Sequence, residues 1–362
     1  MSNSDVVVIG GGVIGLSVAW RAAQRGLRVS VLERDEAGSG TSRVAAGMLA
    51  PIAETEAAES ELLALRLRSA ALYPEFVAEL SRQSGQDPGY LGCGTLFVAR
   101  DGDEAEALLR ELEMRRELGL EVQRLTPSAA RRLEPALAPT IRLALLFADD
   151  HAIDPRRLTK ALAEAVVRAG GQLHERTEVR ELLVDDHRVH GVELADGTRL
   201  EADQVVIAAG AWAERIGGLP AEARVHLRPV KGQILSLRDP AGPGLFTRTL
   251  RMLGGYLVPR GDGRYALGAT VEERGFDTTV TAGAIFELLR EAIELVPGIS
   301  ELVIDELSAG IRPGTPDNAP VLGRGVLEGL HWATGHYRNG ILLAPVTAEI
   351  VVAGLVDARV PA

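Results

Sequence analysis

The chain has 362 residues, 46% of them hydrophobic and 25% charged, which excludes wholesale disorder and suggests two domains. Its formal net charge of −11, from 39 basic and 50 acidic residues, excludes non-specific nucleic-acid binding but leaves room for a local basic pocket that holds a small anion. The single cysteine, Cys93, excludes an internal disulfide and a cysteine-based zinc cluster, and it fits a reducing cytoplasm.

Met1–Asp5 lacks the basic region of a signal peptide, and an apolar strand begins immediately after it. Asp5–Ile9 reads as a buried parallel strand, Val13–Arg25 as a helix closed by Gly26, and Arg28–Glu33 as a second buried strand, together a βαβ unit. Glu36–Gly47 reads as a loop and Glu59–Arg82 as a helix. Gly94–Ala99 is strand-like, Glu104–Leu118 is a charged helix expected to form a solvated face, and Thr126-Pro127-Ser128 starts a further helix. Pro155–Ala169 is helical. Val179–Val184 and Val189–Leu194 are strands, and Asp196-Gly197 turns the chain into a short strand Thr198–Glu201. Asp203–Ala208 is a separate buried strand that runs into a glycine turn and a short helix near Trp212. Residues 225–310 alternate as an antiparallel sheet interrupted by a helix Thr281–Leu295. Leu330–Thr334 is a strand. The near-apolar run Ile341–Val356 falls short of a membrane span and reads as a buried helix.

No repeat or flexible linker separates these segments. The expected fold is therefore α/β: a Rossmann-type dinucleotide domain (1–86, 148–224 and 311–362) interleaved with an α+β substrate domain on an antiparallel sheet (87–147 and 225–310).

Gly10-Gly11-Gly12-Val13-Ile14-Gly15 supplies G-x-G-x-x-G between strand and helix. Gly10 permits the tight turn, Gly12 lets a pyrophosphate approach the backbone, and Gly15 lets helix and strand pack closely. The helix N-terminus offers free N–H groups to phosphates. Glu33, at the end of the second strand, suits ribose hydroxyls and repels a 2′-phosphate, which argues against NADP. Glycine-rich segments far apart in the chain point to FAD, the longer and more enclosed dinucleotide.

Five further segments carry a family resemblance: Thr41–Leu49, Pro229–Gln233, Tyr256–Arg260, Ala309–Thr315 and Gly335–Pro345. On these, over nearly the full length, the chain resembles the D-amino-acid oxidase superfamily of FAD enzymes, most nearly its bacterial glycine oxidases of the thiamine pathway. The resemblance implies that Val13, Ile14, Glu33, Arg34, Thr41, Ser42, Ala46, Gly47, Met48 and Val179 line FAD, and that His336, Tyr337, Arg338, Asn339, Gly340, Ile341 and Leu342 close over the flavin. It implies that Arg312, Arg338 and Tyr256 bind the substrate, with no residue acting as a catalytic acid or base. It further implies oxidative deamination of glycine, sarcosine, D-alanine or D-proline, O2 as acceptor with H2O2 released, an imine that feeds thiazole synthesis, and a cytoplasmic homotetramer that binds neither nucleic acid nor membrane. A D-amino-acid dehydrogenase or a sarcosine-oxidase-like enzyme is the alternative. The cysteine and histidine that tether flavin in some relatives have no counterpart here, so FAD is expected to be non-covalent. Gly254 and Val271 replace a histidine and a methionine of some members, which leaves the substrate preference open.

Taken without the resemblance, Arg312 reads more readily as a surface ion pair than as a substrate ligand, and Tyr256 as an ordinary core aromatic. Lys231 sits at the flavin edge or in solvent. His187-x-x-His190 lies across a hairpin tip with no third metal ligand in view, and Cys93 is a small buried hydrophobe.

Overall fold

A computed structural model of the chain describes residues 4–55 and 60–358. Residues 1–3 of the stretch read for a leader, Glu59 of the expected helix, and 359–362 lie outside the described residues.

The first strand, Ser4–Ile9, is buried throughout because its Val and Ile side chains have neighbours on both faces. It pairs in parallel with Val29–Leu32 on one side and with Arg199–Ile207 on the other. Gln172–His174 extends the sheet in parallel beyond Val29–Leu32, and Leu330–Thr334 adds in parallel to Arg199–Ile207. The expected strands Thr198–Glu201 and Asp203–Ala208 are one continuous strand. Its first half pairs antiparallel with Arg188–Leu194 and its second half joins the parallel core. Exposed Asp203 and Glu201 sit on the outward side of this uninterrupted strand.

Helix Val13–Gln24 packs between the sheet and the helices Ser60–Ser84, Pro155–Arg168 and Gly340–Asp357. Pro155–Arg168 starts where the Asp154 side chain accepts from the amides of Arg156 and Arg157 (3.0 and 3.3 Å), with Pro155 in the first turn. Gly340–Asp357 is the one helix among the described residues long and apolar enough to cross a membrane, and 61% of it is buried inside the protein. Ser69 and Tyr73 donate to the carbonyls of Leu342 and Ile341 (2.7 and 2.6 Å) and fix its first turn.

The second sheet is also eight-stranded and mostly antiparallel. Its order is Val303–Gly314, Arg228–Arg238, Arg264–Gly268, Gly255–Pro259, Thr249–Met252, Thr95–Ala99, Leu143–Phe147, Gln123–Leu125. Val303–Gly314 is continuous, so the expected domain boundary between 310 and 311 falls inside it. The expected loop 36–47 contains a helical turn, Thr41–Val44, held to this strand by Thr41 Oγ1 donating to the Ile311 carbonyl (2.7 Å).

Helix Gly102–Glu117 is not simply a solvated face. Leu108, Leu112 and Arg115 are buried, and Arg115 donates to the carbonyls of Ile52 (3.0 Å), Ala53 (3.0 Å) and Thr55 (3.2 Å). Asp150, also fully buried, accepts from the amides of Ile52 (3.3 Å) and Ala53 (2.6 Å). The two side chains clamp segment 52–55 from both its donor and its acceptor side.

Burial pushes the Asp150 carboxyl up to about 7, from an ordinary value of 3.8. An acid whose pKa is raised by folding contributes stability that is full below the unfolded value and is lost as pH rises through the folded one. Thermal stability measured between pH 4 and pH 7 is therefore expected to fall less steeply in Asp150→Asn than in the parent. Parallel curves for the two proteins would show that Asp150 does not titrate in this window.

Candidate active site

A cavity of about 560 Å³ runs between the two sheets. At one end Glu33 closes the βαβ turn, its carboxylate accepting from the amides of Gly11 (2.7 Å) and Asp35 (3.0 Å). Arg34 lies 4.3 Å from the Trp212 ring centre beside it, and Thr177, Glu178 and Val179 complete this wall.

Along the middle, Gly10 has φ +109°, and a Cβ there would lie 2.6 Å from the Ala208 carbonyl oxygen. A Cβ on Gly15 would lie 1.9 Å from the Gly10 carbonyl oxygen, so only glycine lets the helix start this close to the strand. The helix has no side chain capping it from its N-cap residue Gly12. Ser42 Oγ instead approaches from the neighbouring turn and accepts from the Val13 amide (3.0 Å). A side-chain-free backbone cradle facing a helix N-terminus fits a pyrophosphate, and Glu33 at the strand end fits the adjoining ribose. The residues present therefore fit FAD.

Ala46, Gly47 and Met48 line the cavity further on. Half-buried Arg260, to which the sequence assigns no role, donates to the carbonyls of Ala46 (2.7 Å) and Ile153 (3.1 Å) and so fixes this wall. Burial lowers its pKa to about 10. His336, Tyr337, Arg338, Gly340 and Ile341 form the wall at the start of the last helix. The His336 ring is buried against Thr347 Oγ1 (2.9 Å), and burial alone drops its pKa to about 3, so it is neutral in the working range. Three expected cofactor residues do not line the cavity. Gly15 serves helix–strand packing, Leu342 lies in the helical core, and Asn339 forms the N-cap of the last helix.

The opposite end is floored by the second sheet. Paired residues on adjacent strands share a face. Register aligns Ile234 with Gly268, Gly268 with Tyr256, Tyr256 with Arg251, and Arg251 with Phe97, while Gly310 pairs with Gly232 two positions along. Arg312 reaches across this face from the neighbouring strand, donating to the carbonyls of Lys231 (3.2 Å) and Thr270 (3.1 Å). A Cβ on Gly232 would lie 2.3 Å from the Arg312 guanidinium, and one on Gly268 would lie 2.9 Å from the Tyr256 ring. The two glycines are the seats of those side chains. Burial raises the Tyr256 hydroxyl pKa against the opposing pull of Arg312, so the phenol keeps its proton.

Lys231 has the opposite strand parity and lies neither at the cavity nor in solvent. It is buried and donates to Asp277 (2.7 Å). Gly254 and Val271 both line the mouth, and Val271 is 58% exposed. Cys93 is half-buried beside Thr249. His187 sits at a hairpin turn where it and Asp186 take positive φ. Arg251 and Glu54 also line the cavity and were not anticipated. The signal for Arg251 is the two-residue turn Leu253-Gly254, whose register puts Arg251 opposite Tyr256.

Residues 5–353 match the family model DAO, FAD dependent oxidoreductase. The chain is 39% identical over 361 residues to a glycine oxidase of Geobacillus kaustophilus, covering 98% of this chain and 93% of the relative. It is 37% identical over 364 residues to the bifunctional protein ThiO/ThiG of Synechocystis sp., covering 99% of this chain but 52% of that longer protein. The crystal structure of glycine oxidase from Geobacillus kaustophilus superposes with a TM-score of 0.91 at 37% identity, covering 100% of this chain and 96% of that one. With the dinucleotide cradle and the sheet-floored cavity in agreement, the chain belongs to the DAO family of FAD-dependent oxidoreductases, as an FAD-dependent oxidase of the glycine oxidase group.

Proposed function

We propose that this chain oxidatively deaminates glycine and other small amines, among them sarcosine, D-alanine and D-proline. Amine, O2 and water give 2-oxo acid, ammonia (or the corresponding amine) and H2O2. The observation that carries this reading is the convergence of Arg312 and Tyr256 on one face of the cavity floor, each seated over a glycine. The glycine oxidase relatives support the substrate class and the acceptor. Supply of the imine to thiazole synthesis, a cytoplasmic location and a homotetrameric assembly belong to the same reading.

FAD supplies the two-electron sink when bound. Gly10, Gly12, Val13, Ile14, Thr41 and Ser42 would hold its pyrophosphate region, Glu33 and Val179 its adenosine, and Ala46, Gly47, Met48, His336, Tyr337, Arg338, Gly340 and Ile341 its ring. The chain's task is then to bind and orient. Carbonyl partners on one edge of Arg312 fix its plane, and the remaining N–H groups offer a fork to the substrate carboxylate. Tyr256, protonated, donates to the same group. Arg338 lies on the facing wall. The amine reacts in its neutral form and needs no protein base, in keeping with a His336 ring committed to Thr347.

Acid or heat precipitation is expected to release FAD into the supernatant, and flavin that stays with the precipitate would rule out non-covalent binding. Arg312→Ala removes one partner of a charge-assisted pair, a loss of roughly 2–5 kcal/mol or about 30- to several-thousand-fold in kcat/KM for glycine, measured by peroxide release. FAD content is expected to hold. Arg312→Lys is expected to recover only part, because a point charge cannot reproduce the fork. Near-normal kcat/KM in a flavin-loaded Arg312→Ala enzyme would transfer the role to Arg338.

Gly232→Ala must push the guanidinium aside, and a displacement of about 1 Å can cost on the order of 100-fold. We expect the KM for glycine to rise at least 10-fold (roughly the low end of such a displacement) with FAD retained, and the same change added to Arg312→Ala to cost little more. Additive losses in the double variant would show that Gly232 acts elsewhere.

A further inference from the structure

We propose that the cavity carries a second anion-binding arm at Arg251, which receives a distal acidic group and admits small amino acids bearing two carboxylates. The inference rests on the reading of Arg312 as the clamp for the first carboxylate. Arg251 lines the same cavity and lies directly opposite Tyr256 in the hairpin, on the face that Arg312 crosses. A cross-strand pair of this kind places its Cβ atoms about 5 Å apart, so an anion at Arg251 and one at Tyr256 and Arg312 can belong to one small molecule.

The surroundings of Arg251 hold it without neutralising it. Its guanidinium lies 4.6 Å from the Phe97 ring centre and donates to the Ala53 carbonyl. No carboxylate among the described residues forms an ion pair with it. The bond to Ala53 does not by itself account for a cation here, since Arg115 already donates to that same oxygen at 3.0 Å. A guanidinium carries five N–H donors, and among the described residues only one of Arg251's is used. Burial lowers its pKa, so its charge lacks solvation that an anion would restore. Glu54 lines the same end, and its charge acts on Arg251 without an ion pair between them.

The test uses the flavin-loaded holoprotein and acids paired with their near-isosteric amides, which differ in charge but hardly in shape. Calorimetry measures the affinity of the unreactive dicarboxylates malonate and succinate against malonamate and succinamate. We expect at least one acid to bind 10-fold or more tightly than its amide. Arg251→Met is expected to bring the ratio close to one, and Arg251→Lys to keep part of it, with FAD content as the check on folding. Acid and amide binding alike in the parent, or a preference that survives in Arg251→Met, would overturn the proposal. Peroxide release from D-aspartate and D-asparagine, with glycine alongside, separates the two readings. Failure with glycine counts against amine oxidation itself, whereas the acid-to-amide binding ratio judges Arg251 whether or not turnover occurs.

Discussion

A cleft that encloses a long ligand between two sheets must surrender side-chain volume on both walls where they come closest, and this constraint organises the molecule. On the nucleotide side the loss is at Gly10, where any Cβ would collide with backbone. On the facing side it is at Gly232, Gly268 and Gly310. There the missing side chains give space to Arg312, to Tyr256 and to Val44 of the turn beside the cradle. Backbone forms the floor, and a few long polar side chains lie across it. Such an arrangement is stiff, because a sheet cannot move one residue without moving its paired neighbours.

The two walls are also tied to each other. Val303–Gly314 is an edge strand of the second sheet, yet Thr41 of the nucleotide side bonds to its Ile311 carbonyl, and Arg156 of a nucleotide-side helix pairs with its Glu306 (2.8 Å). Above the mouth, Phe276 lies 5.6 Å from the Trp212 ring centre, and Arg215 stacks on Phe276 at 3.6 Å. Lys231 and Asp277 anchor that same loop to the second sheet from behind. The width of the cavity is thus set by contacts at its floor, its side and its rim.

The parallel core is legible in the sequence because buried strands are continuous apolar runs and glycines mark their ends: Ser4–Ile9, Val29–Leu32 and Leu330–Thr334 stand within a residue or two of where the pattern puts them. The edges are less legible. Val303–Gly314 has its first residues half or fully exposed, so its alternation is masked, and the strand carrying Arg312 is visible only as the motif at its end. Lys231 shows how much rests on parity, since one residue's shift from Gly232 takes it from the cavity floor to the far face. Arg251 and Gly268 acquire meaning only through register with Tyr256, which no local signal reports for the Gly268 strand.

A net charge of −11 describes the outer surface and not this cavity. Around it three arginines are held by carbonyl oxygens: Arg312 by Lys231 and Thr270, Arg260 by Ala46 and Ile153, Arg251 by Ala53. A carboxylate partner would orient a guanidinium and cancel its charge together. A carbonyl dipole orients it and leaves the unit charge in place. Where burial weakens screening, that difference is large, and the field of the uncancelled cations converges on the space between the sheets. Cations gathered at the sheet-floored end concentrate small anions there even in an acidic protein. The same choice of partner keeps these side chains in fixed positions before any ligand arrives, which lowers the ordering cost of binding one. Anchoring arginines to backbone carbonyls is therefore the step that makes a rigid sheet floor also an anion receptor.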